Sequence, residues 1–134
     1  MELIVAIGIF AVLAAVATPN AVAWLRNSQF NASVRDVKAA VEEMRIYAVK
    51  SNSRATIAFN NGTNTFQTTK RDRGTNSNRV INHTVGPGIT FGTGPTINFN
   101  SRGMANAGAT VVINHDNGLS GQVVVAMTGS VRIQ

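Results

Sequence analysis

The N-terminal run of apolar residues most constrains what this chain can become. From Leu3 to Leu25 there is no charged residue, and the fifteen positions from Leu3 to Ala17 are all apolar or Gly. A helix rises 1.5 Å per residue, so this segment would reach about 35 Å. A bilayer hydrocarbon core is roughly 30 Å thick. The segment is too long for a secretory signal and lacks its basic start and small-residue cleavage end. A buried core helix is the competing reading, but core helices are usually shorter.

Two residues do not suit a simple anchor. Glu2 puts a carboxylate at the edge of the apolar run, which is costly in lipid unless it reaches water or a cation. The helix macrodipole partly favours it there. Pro19 has no N–H, so the bond to the Ala15 carbonyl is lost and a kink or loosening is expected. Gly8, Ala11, Ala14 and Ala15 are small enough to let other helices approach closely. A helix that leaves lipid to pack among copies of itself would use all of these features.

Beyond Leu25 the material changes to a polar chain rich in Asn, Thr, Ser and Gly. Phe30, Val34, Val37, Val41, Met44 and Ala48 follow a 4, 3, 4, 3, 4 spacing, which is one apolar helical stripe. Glu42 precedes Arg45 by three residues, a favourable pair on a helix. The helix is expected to run to about residue 53. The period then becomes alternating. Residues 55–59 and 65–69 read as strands joined by a Gly-containing hairpin loop. Residues 96–99, 110–114, 122–127 and 130–133 read as four more, with turns at 116–118 and 128–129. Residues 70–88 read as a long polar loop. The expected fold class is α+β: a long N-terminal helix, apolar in its first half and amphipathic in its second, packed on a mostly antiparallel β-sheet domain. The expected division is 1–25 for the apolar helix and 26–134 for the globular domain.

The residues from Met1 to Asn20 resemble the N-terminal segment of type IV pilins and type II secretion pseudopilins. In that superfamily an apolar helix carries one glutamate near its start and a proline about seventeen residues later, and Glu2 and Pro19 stand at those positions. The stretches 31–59 and 97–108, and the ending 121–134, are similar to the GspH/FimT group of that superfamily. The resemblance implies a pilin-like fold and a structural subunit of an extracytoplasmic filament. The subunit would stand in the inner membrane first, and then in a periplasmic or extracellular fibre, beside copies of itself or other pilins. Residues 1–25 would be the transmembrane and then filament-core helix, with Glu2, Gly8 and Pro19 as assembly residues. It also implies a prepilin peptidase acting on the precursor and methylation of the new terminus. The peptidase glycine and the residue after it would precede the matched part. Met1 is therefore expected to be an internal position of a longer chain, or a misassigned start.

Little in the sequence points to catalysis. There is no cysteine, which excludes disulfides and thiolate metal sites. His83 and His115 have no spaced ligand set and are expected in loops or turns. No phosphate loop or nucleophile elbow is present. An enzyme is not expected, and neither is a cofactor or metal. Phe10, Trp24, Phe30 and Tyr47 read as packing residues. Asn31, Asn61 and Asn82 begin N-glycan patterns, which an Asn-rich chain produces by chance. From Arg26 onward there are 12 Lys+Arg against five Asp+Glu, a charge of +7. Lys70, Arg71, Arg73 and Arg79 are the densest cluster, and Arg132 lies in the C-terminal region. FimT-type minor pilins are associated with DNA uptake. The alternative function is thus a minor tip pilin that binds DNA through these five residues.

Overall fold

The computed structural model describes residues 2–72, 74–75 and 77–134, and all of their side chains except those of residues 2 and 14–20. One helix, α1 (Glu2–Lys50), is followed by eight strands. They are β1 (Ala55–Phe59), β2 (Thr65–Arg71), β3 (Asn78–Thr84), β4 (Ile89–Thr93), β5 (Thr96–Phe99), β6 (Ala109–His115), β7 (Ser120–Val125) and β8 (Val131–Ile133).

The second half of α1 packs as its spacing dictates. Phe30, Val34, Val37, Val41, Met44 and Ala48 are all buried, while their charged neighbours are largely on the open side. The helix stops at Lys50 rather than near residue 53, and its end is specific. Asn52 takes a left-handed backbone, φ 46°. The Ser53 N–H reaches the Ala48 carbonyl at 3.1 Å and the Asn52 N–H reaches Val49 at 3.2 Å. This is the Schellman arrangement, which satisfies two of the last free carbonyls. Glu42 pairs with Lys38 at 3.5 Å instead of with Arg45. The stem of Arg45 lies close to Gly103 and Gly129 on another flank of the helix.

The strands form two four-stranded sheets, ordered β3-β2-β1-β5 and β4-β6-β7-β8, and every strand pair is antiparallel. Alternation chooses the inner faces. Ala55, Ile57 and Phe59, then Ile97 and Phe99, fill one half of the core; Val111, Ile113, Val123 and Val125 fill the other. Together with the helix stripe they make one continuous cluster, so both sheets and α1 share a single core.

The expected loop at 70–88 needs correction. It contains the end of β2 and all of β3, and β4 follows directly. The physical reason is that β3 is an edge strand with no fully buried residue. Its backbone pairs with β2, but its side chains cover little of the core, so the apolar alternation that marks a strand is weak.

Candidate functional site

The first half of α1 carries the unusual surface. Leu3, Ile4, Val5, Ile7, Ile9, Phe10, Val12 and Leu13 are each more than half exposed, and Trp24 is 71% exposed. Successive residues point all round a helix, so exposure at 3, 4 and 5 and at 12 and 13 means that no side of residues 3–13 packs on the rest of the chain. A helix that is apolar all round requires an apolar environment from outside its own domain. Phe10 and Trp24, read from sequence as packing residues, make no such packing within the chain. Phe30 is buried and Tyr47 packs on the core.

Gly8 has open space around it: an added Cβ would meet nothing within 4 Å. No contact among the described residues requires glycine there. The side chains of Glu2 and Pro19 lie outside the described residues, as does Arg73 entirely. Among the described residues no helix is long and apolar enough to cross a membrane. The expected span includes residues 14–20, whose side chains are not among those described.

The basic residues do not form one patch. Lys70 lies at the helix–sheet seam, with Nζ 2.6 Å from Glu43 Oε1 and 5.4 Å from the centre of the Tyr47 ring. Arg71, beside it, offers its carbonyl to the Tyr47 hydroxyl at 3.3 Å and to Ser53 Oγ at 3.0 Å. Arg79 sits across from Lys70 in the β2–β3 ladder. Arg132 belongs to the other sheet, on β8. The ladder thus sets Lys70 and Arg79 on one face of the sheet, turns Arg71 to the other, and leaves Arg132 apart.

Neither histidine stands in a metal cluster: among the described residues, no three His, Asp or Glu side chains are placed to hold an ion. His115 is the last residue of β6, not a loop residue; it accepts the Asn117 N–H on Nδ1 at 3.2 Å and meets the Phe30 ring edge-on, both structural contacts. His83 is in strand β3, not in a loop. Its ring stacks on Phe66 with centroids 4.8 Å apart and shares a hydrogen bond with the Thr68 hydroxyl at 2.9 Å.

Sequence reasoning missed a contact that fixes the end of the domain. The turns at Gly103 (φ 75°) and Gly129 (φ 83°) meet each other over Arg45. A Cβ on Gly129 would collide with the Gly103 carbonyl and lie 2.9 Å from Arg45 Nε. Both glycines lie in the similar stretches at 97–108 and 121–134, and their common contact is a reason for glycine at both places.

Comparison with known proteins places these features. A family model described as "Type II transport protein GspH" matches residues 33–129. The fold is similar to that of the type IV minor pilin FimU of Pseudomonas aeruginosa, with a TM-score of 0.63 at 11% identity over 81% of this chain and 90% of that one. It is equally similar to the minor pseudopilin EpsH of the type 2 secretion system of Vibrio cholerae, with a TM-score of 0.63 at 12% identity over 79% and 96% of the two chains. At such identities the likeness is one of fold. No curated protein sequence matches the chain.

Proposed function

Since the chain belongs to the GspH family of type II transport proteins, we propose that it is a structural subunit of an extracytoplasmic helical filament, of the type IV pilus or type II secretion kind. The observation that carries this reading is the division of one helix. Its second half is built into the domain core, while the described side chains of its first half are mostly apolar and exposed in the single subunit.

Each large apolar side chain brought out of water contributes about 1.5–3 kcal/mol. Among the described residues, eleven of them are exposed between Leu3 and Leu25. That drive keeps the segment out of water, but it does not choose between lipid and a bundle of helices, which are equally apolar. The choice rests on close packing and on specific polar pairing. Gly8 permits close packing. Glu2 gains most from a cationic partner once its surroundings are apolar, such as the N-terminal amine of a neighbouring subunit. Pro19 frees a carbonyl, which lets the helix loosen as it moves from the inner membrane to the fibre. In this reading the partners are other pilin subunits, after a prepilin peptidase has acted on the precursor.

DNA capture would require the basic residues to act on one strand of nucleic acid. Arg132 stands in the other sheet, and Lys70 is already paired with Glu43. The geometry therefore favours the assembly reading.

The test is Glu2→Ala in the native host. The folded domain is expected to accumulate normally while the yield of sheared filaments falls. Unchanged yield from that variant would remove Glu2 from the assembly mechanism.

A further inference from the structure

Among the described residues the outer edge of β3 has no partner strand. The Asp72 N–H bonds to the Ser77 carbonyl, and the Val85 N–H bonds to Asn64. These fix the phase of the ladder: Arg79, Ile81 and His83 turn their backbone groups toward β2. Asn78, Val80, Asn82 and Thr84 must turn theirs outward. Among the described residues those outward groups meet no hydrogen-bonding partner. An open edge of this length is a template for another strand.

The side-chain pattern beside that edge is polarised. Arg79, Ile81 and His83 share the sheet face that looks toward the helix, because their partners Lys70, Thr68 and Phe66 do. At one end stands the Arg79 guanidinium, which has no salt-bridge partner among the described residues, since Lys70 across from it is taken by Glu43. At the His83 end a groove of about 500 Å³ opens between β3 and α1, lined in part by Ala39, Ala40, Phe66, His83 and Val85. Asp36 stands in the same groove and has no salt-bridge partner among the described residues. A long side chain with an apolar stem and a cationic tip fits such walls.

We propose that the edge of β3 is a strand-addition site for an extended segment of a partner protein. That segment carries an acidic, an apolar and a basic side chain on three successive inward-facing positions. The acidic group meets Arg79, the apolar one Ile81, and the basic one enters the groove beside His83 toward Asp36. Backbone bonds to Asn78, Val80, Asn82 and Thr84 supply affinity, and the three inward side chains supply selectivity. A second copy of this chain does not fit that description, since β3 contains no acidic residue and the chain carries +6. The proposal holds whichever filament the subunit enters.

The test uses the isotope-labelled full chain in detergent micelles and a synthetic heptapeptide of threonines, with Glu, Ile and Lys at its second, fourth and sixth positions. The reversed peptide covers the other strand direction. One of the two is expected to shift the amides of Asn78, Val80, Asn82 and Thr84 saturably and to slow their hydrogen exchange. N-methylation of the nitrogens that face β3, the fourth and sixth in the forward peptide, which pairs parallel, and the third and fifth in the reversed one, which pairs antiparallel, should abolish this. Asp36→Asn should weaken binding about threefold, and only for the peptide that retains its lysine. Val80→Pro should also abolish binding, because it removes an outward donor and leaves the β2 ladder intact. No response of the edge amides to either peptide at millimolar concentration would overturn the proposal, as would binding that survives N-methylation. A dimer of the chain itself that Val80→Pro dissolves would overturn the choice of partner.

Discussion

At the scale of single residues, the most demanding position is Gly129. Its backbone is left-handed and its missing Cβ leaves room for the Gly103 carbonyl and for Arg45. Gly129→Ala should therefore cost at least about 2 kcal/mol, from backbone strain plus a clash with rigid main chain. A denaturant midpoint for the variant checks this, and a change within error would mean that the turn can move away from Arg45. Glu43→Gln is the contrasting case. The Lys70–Glu43 pair is short, but the Glu43 side chain is largely exposed. Its loss should cost below about 1 kcal/mol, and the difference should shrink in high salt.

At the scale of elements, α1 is two materials on one backbone. The stripe from Phe30 to Ala48 was legible because the helical period is local and each of its six apolar positions is used. Met44 is fully buried within it, so Met44→Ala should destabilise the domain by about 2–5 kcal/mol. Thermal unfolding of the variant measures it; a loss below about 1 kcal/mol would mean that the core collapses around the gap. Strand β3 was not legible for the opposite reason. Its order comes from main-chain bonds to β2, which any sequence can make, and a run with one fully open face leaves only a faint alternation. His83 went with it, read as a loop residue when it is a stacked one.

At the scale of the whole molecule, the core begins at Phe30, and no buried residue precedes it among the described side chains. A fragment starting near Arg26 should thus fold, with the far-ultraviolet spectrum and cooperative unfolding of a helix–sheet domain. It should not enter filaments, because the surface proposed to drive assembly has been removed. Non-cooperative melting of the fragment would mean that the first half of the helix supports the domain. The family likeness spans residues 33–129 and so describes mainly this domain.

The sequence by itself determined the apolar run, the helical stripe, most of the strands and the resemblance to pilins. These depend on spacing between near neighbours, where 3.6 and 2 residue periods leave a direct mark. Tertiary structure alone decided which residues meet across the chain. It split the basic residues between two sheets, seated Lys70 on Glu43, closed two glycine turns over Arg45 and left the edge of β3 open. Such contacts join positions tens of residues apart through backbone geometry and close approach, which no local pattern encodes.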